Sequence, residues 1–196
     1  SRLAAGRRFA ELQQEYHGDA RQLHALYRQV DSAVADLETR ERIQGPFETI
    51  AGSVHAVVAQ AEAESAPDAV HLSPYRRQLE ALGQEYATRV LDIPDGLEDA
   101  LQGLSEHVAE SLRQADQRLD YLRKRHQIKT RLEHLLSRVQ AMAAAGELAD
   151  AAVEEERQAF HGLSQDPIAV QEFSGLLQRI AGAWPAAEAR HDDLRG

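Results

Sequence analysis

Apolar residues recur along almost the whole chain in alternating steps of three and four, and no run of four or more alternates cleanly between apolar and polar. Steps of three and four stack side chains on one face of an α-helix, whereas strict alternation would mark a half-buried strand. The expected fold class is all-α. The first stripe is Phe9, Leu12, Tyr16, Leu23, Leu26, Val30, Ala33 and Leu37, with polar Asp19 where the pattern should continue. It predicts a long helix from about Leu3 to Arg42, ended by Gly45-Pro46. Proline suits a first helical turn, so Pro46 is expected to open a second helix reaching about Glu64. Phe47, Ile50, Val54, Val57 and Ala61 form its stripe.

Ser65-Ala66-Pro67-Asp68 reads as a loop, and Ser73-Pro74 as a cap with proline at the first position. The third helix carries Leu79, Leu82, Tyr86 and Val90 and stops near Ile93-Pro94. Asp95-Gly96-Leu97-Glu98 reads as a capping box for a long fourth helix, which Gly146 terminates. Its stripe runs from Leu97 to Leu122, breaks at Arg123-Lys124-Arg125-His126-Gln127, and resumes at Ile128, Leu132, Leu135, Val139 and Met142. A fifth helix is predicted over about Glu147 to Leu163. Asp166-Pro167 caps a sixth, with Val170, Phe173, Leu177, Ile180 and Trp184 inward, and Pro185 is expected to kink or stop it.

The predicted order of six helices is long, short, short, long, short, short. One short helix cannot cover a helix of about forty-four residues, roughly 65 Å long, but two can. Short connections make neighbours antiparallel. The expected architecture is one elongated domain, 1–196, of two stacked four-helix bundles that share two long antiparallel helices. One sub-module takes about 20–120, and the other about 1–19 with 121–196. Its core is expected to hold Leu12, Tyr16, Leu26, Val30, Leu37, Ile50, Val54, Leu79, Leu82, Tyr86, Leu104, Leu132, Leu135, Phe173, Leu177 and Ile180. Gly18-Asp19 interrupts one long stripe and Arg123 to Gln127 the other at matching heights, which predicts a polar waist.

The 196 residues carry 32 acidic and 22 basic side chains, a net charge of −10 with histidine neutral. That balance argues against a nucleic-acid module. Absence of cysteine excludes disulfides, zinc–thiolate sites and cysteine nucleophiles. No stretch approaches eighteen apolar residues, so no direct membrane insertion is expected. The chain opens on Ser1, which is read as the start of an excised fragment. Twenty arginines against two lysines, with no asparagine, suggest a GC-rich genome.

A second pattern competes with the stacked arrangement. Leu79, Leu82 and Tyr86 match Leu177, Ile180 and Trp184 at an offset of 98. This resembles the spacing of spectrin-type repeats, which would make the chain a cytoplasmic scaffold of three-helix units. Tyr16-His17-Gly18-Asp19, preceded by Arg7-Arg8-Phe9 and followed by Leu23, Tyr27, Val30 and Val34, resembles the first helix of bacterial extracytoplasmic helical sensor domains. The helix order resembles the helical bimodular sensor domains of chemoreceptors and sensor kinases. That resemblance implies a signal-sensing region on the outer side of a bacterial membrane, with a ligand held in one bundle.

The basic cluster Arg123, Lys124, Arg125 and His126, with Asp19 opposite, is the sharpest candidate ligand site. Guanidinium forks there could hold the carboxylate of a small organic acid. The plainer reading is a solvated helix face paired with Asp19 or Glu15. The acidic run Glu154-Glu155-Glu156 also reads as a solvated face. Glu188-x-x-His191 is the one Glu-x-x-His spacing, and His17 with His24 lack a third ligand, so no metal and no cofactor are expected. No phosphate loop, dinucleotide fingerprint or nucleophile elbow is present, and no enzyme is expected. Tyr86 and Trp184 suit interface anchors or core positions. The expected partners are a small organic acid or a partner protein, with a homodimer along a long helix as a further option and no nucleic acid.

Overall fold

A computed structural model describes residues 2–94, 97–145 and 150–193. The fold is all-helical, with no strand among the described residues. The order is α1 (Arg2–Glu62), α2 (Ala69–Leu91), α3 (Glu98–Ala145), α4 (Asp150–Ser164), α5 (Pro167–Glu172) and α6 (Ser174–Asp193). Asp95 and Gly96 of the expected capping box, Gly146 as terminator and Glu147 as a helix start lie outside the described residues. So do the side chains of Phe9, Glu15, Tyr16 and His191.

Three expected boundaries are corrected. Gly45-Pro46 does not end the first helix, which continues unbroken to Glu62. Proline removes one rung, leaving the Arg42 carbonyl without its usual donor, at a cost of about 3 kcal/mol. Burial of Phe47, Ile50 and Val54, each 1% exposed, is worth about 1.5–3 kcal/mol apiece and outweighs that loss. Ser73 is not a cap. Helix α2 begins four residues earlier, where Asp68 Oδ1 accepts from the backbone N–H of Val70 at 2.9 Å and of His71 at 2.8 Å. The predicted sixth helix is divided at Phe173, whose backbone sits at φ −128°, ψ 28°. The Asp166 cap is present, accepting from Ile168 N at 2.9 Å and Ala169 N at 3.3 Å. Pro185 lies inside α6, which runs on to Asp193.

The chain forms two compact units. The first comprises Ser1–Ala51 and Tyr86–Val108. Its core is a junction of three helical segments. Phe47 of α1 meets Tyr86 of α2 edge to face at 6.1 Å. The Tyr86 hydroxyl donates to the Ser105 carbonyl of α3 at 3.1 Å. Ile50, Leu101 and Val108 are buried beside them. Among the described side chains of the N-terminal arm of α1, residues 2–42, none is buried. Leu12, Leu26, Val30 and Leu37 were expected inside and are instead 50–59% exposed, and Leu23, Tyr27 and Val34 are exposed as well. The long first helix therefore does not bury this stripe anywhere in the chain.

The second unit comprises Gly52–Glu85 and Ala109–Gly196 and has two hydrophobic clusters along α3. In the first, Val54, Val57 and Ala61 of α1, Leu72 and Leu79 of α2, and Ala115, Leu119 and Leu122 of α3 are buried. Ion pairs tie the segments: Arg118 to Glu62 at 2.6 Å, and Arg76 to Asp116 at 3.3 Å. In the second, Ile128, Leu132, Leu135, Val139 and Met142 of α3 pack with Leu163, Ala169 and Ile180. Phe160 of α4 stacks on Trp184 of α6 at 6.5 Å. Each cluster is built from an up–down–up trio.

Helix α3 changes face between these clusters. At 100° per residue, the face of Ser111, Ala115, Leu119 and Leu122 and the face from Ile128 to Met142 lie about 130° apart. The step from Leu122 to Ile128 is six residues, where a continuing stripe would take seven. The polar run at Arg123 to Gln127 marks that handover.

Candidate functional site

The expected site residues fall in two places. Asp19 is exposed on the α1 arm, in the first unit, while Arg123, Lys124, Arg125 and His126 belong to the second. The acids that Arg123 and Arg125 meet lie within the second unit. Arg123 reaches Asp120 Oδ1 at 3.3 Å, one helical turn away. Asp120 also receives the Arg76 guanidinium from α2, which holds its carboxyl below the usual carboxylate range. The Arg123 Nε is buried and has no hydrogen-bond partner among the described residues.

Arg125 Nε donates to Glu172 Oε2 at 3.2 Å, and its guanidinium lies 5.8 Å from the centre of the Phe173 ring. The break between α5 and α6 therefore places two contacts on Arg125, one ionic and one aromatic. The Tyr121 hydroxyl donates to Glu172 Oε1 at 2.7 Å. That bond, reinforced by Arg125, keeps the Glu172 carboxyl low, and the same bond, with partial burial, pushes the Tyr121 hydroxyl up. Arg118 covers the Tyr121 ring at 5.0 Å. Tyr121, Asp120, Glu172 and Arg76 thus complete the site. The three-and-four pattern places Tyr121 beside the cluster in the sequence, but nothing in spacing alone brings Glu172 across from another helix.

A groove of about 530 Å³ runs beside the cluster, lined by Lys124, His126, Gln127 and Arg131 of α3 and by Asp166 and Ile168 at the start of α5. Its charge is mixed, and the Asp166 carboxylate is occupied in capping α5. A smaller recess of about 180 Å³ includes Arg125, His126 and Lys129 with Glu62 and Glu64. Among the described residues no group of three or more His, Asp or Glu side chains is placed to hold a metal ion. Glu188 accepts from Trp184 Nε1 at 2.7 Å and from Arg157 at 2.6 Å.

The other feature of functional size is the α1 arm. Seven of its large apolar side chains, Leu12, Leu23, Leu26, Tyr27, Val30, Val34 and Leu37, are 46–62% exposed. Isolated exposed leucines are ordinary, whereas a periodic row of this length is uncommon on a protein surface. No described helix is long and apolar enough to cross a membrane. No family model, no curated protein and no solved structure matches the chain.

Proposed function

We propose that this chain is a non-catalytic helical scaffold whose contact surface is the apolar face of the α1 arm. One observation carries the reading: residues 12–37 hold an uncovered helical stripe in water. Two others support it. The guanidinium groups of Arg123 and Arg125, the natural anion ligands of the alternative reading, are engaged by Asp120 and Glu172. The trios along α3 favour tandem three-helix sets over two stacked four-helix bundles, which would require the arm's stripe to be covered.

The second reading is the signal-sensing domain of a bacterial receptor, favoured by the groove beside Lys124, His126 and Arg131. A thermal-shift screen against small organic acids separates the two. The scaffold reading expects no acid to raise the melting temperature. A rise that Arg125→Ala or Lys124→Ala abolishes would overturn it in favour of sensing.

A further inference from the structure

The face change in α3 has a counterpart in α1. In α3 the stripe passes Leu122, Arg125 and Ile128 in two successive steps of three. In α1 it passes Leu37, Arg40 and Ile43 in the same two steps. Each pair is 85 positions apart, and the likeness extends on both sides. Arg28-Gln29-Val30-Asp31 lies over Arg113-Gln114-Ala115-Asp116. Beyond the break, Phe47, Ile50 and Val54 lie over Leu132, Leu135 and Val139, and all six are buried. The two long helices are therefore copies of one design, in which the first half presents one apolar face and the second half another.

The copies differ in what covers the first half. In α3, residues 111–122 are roofed by a hairpin, the second half of α1 and the first part of α2. In α1 the equivalent residues, 26–37, face water. The groups that dock the hairpin on α3 are partly kept. Asp116, which receives Arg76, corresponds to exposed Asp31. The stripe is also broad there, with Tyr27 and Val34 flanking Leu26, Val30 and Leu37. A breadth of that kind suits burial against two helices, whereas a two-stranded coiled coil needs only a narrow seam.

We propose that residues 12–37 of α1 are the third helix of a further trio, and that they bind an antiparallel helical hairpin of the type formed by residues 43–91. This rests on the scaffold reading and names its partner. The duplication at 85 positions and the continuity of α1 with a trio already packed argue for a hairpin over a single helix or a second copy of the arm.

The test supplies the hairpin. A chain is built with a second copy of residues 43–97 placed directly before position 13, and amide hydrogen exchange is compared with that of the 196-residue chain. Exchange over 26–37 should slow by about tenfold or more, towards that of 111–122. Leu26→Arg with Val30→Arg in the longer chain should reverse the effect while 111–142 stay protected. Unchanged exchange over 26–37, with 111–142 still protected, would overturn the proposal. Should the longer chain fail to fold, a labelled peptide of residues 43–91 is titrated onto the 196-residue chain. Saturable binding lost in the Leu26→Arg, Val30→Arg variant supports the hairpin, and equal binding to both overturns it. Sedimentation of the 196-residue chain as a dimer, with 26–37 already protected and the double variant monomeric, would assign the face to a second copy and also overturn it. None of these readouts depends on an organic acid, so failure here is distinct from failure of the scaffold reading.

Discussion

Arg138 Nε on α3 stands 2.7 Å from Glu156 Oε1 on α4, and the two ends of that bond live in different surroundings. The Glu156 side chain is 7% exposed, whereas Arg138 is 44% exposed. Glu154 and Glu155 are exposed, so the expected solvated run of three is corrected at its third member. One residue of an acidic stretch turns inward and draws an arginine over itself.

Removing the arginine should therefore hurt more than removing the acid. Arg138→Ala leaves a buried carboxylate without its partner and should lower unfolding free energy by about 1–3 kcal/mol. Glu156→Met fills the space without charge and should cost less, or stabilise. Urea melts of both variants decide, and a larger loss in Glu156→Met would refute the asymmetry.

The two halves of α1 should respond differently to the same truncation. Ile50→Ala removes a fully buried side chain and should cost about 2–5 kcal/mol. Leu26→Ala on the arm should change the stability of the chain alone by no more than about 0.5 kcal/mol. Comparable losses at the two sites would mean that the arm is packed in solution.

Pro46→Ala should stabilise the chain. The substitution restores the N–H that the Arg42 carbonyl lacks and relieves the ring's crowding, for a gain of about 1–3 kcal/mol. A lowered midpoint in chemical denaturation would show that the proline shapes the packed half of α1.

The acid limb of stability should depend on Glu172. Its carboxyl is held below its ordinary value by the Tyr121 hydroxyl and Arg125. A group lowered on folding contributes stability above its unfolded value, near pH 4, and loses it as pH falls through the folded value. Tyr121 is raised, so its contribution is present below about pH 10 and fades as pH climbs further. Glu172→Gln should flatten stability below about pH 4 and bring one tyrosine titration back towards the ordinary range. An unchanged acid limb together with an unchanged tyrosine titration would dismiss the pairing.

The all-α class and the caps at Asp166 follow from local chemistry, which is why they could be read from residues in order. The buried stripe from Phe47 to Ala61 was equally legible. Pro46 was not, because its effect is a balance. A lost rung is local, whereas the burial that offsets it comes from α2 and α3. The arm was misread for a related reason. A stripe in the sequence states that a face is apolar, and says nothing about whether this chain covers it. The partners of Arg125 were hidden because Glu172 arrives from 47 positions away, at a break in the helix that no spacing rule announces.

Helix α3 hands its apolar face from one trio to the next between Leu122 and Ile128, with no loop to take up slack. That makes its length, more than its composition, the quantity that must be preserved. One residue inserted there would turn Ile128 to Met142, and α4 to α6 with them, by about 100° against the first cluster and push them along by about 1.5 Å, parting Glu172 from Tyr121. An insertion of seven would turn them by only about 20°. Selection acting on such a helix should tolerate many substitutions in the polar run and almost no change in its count.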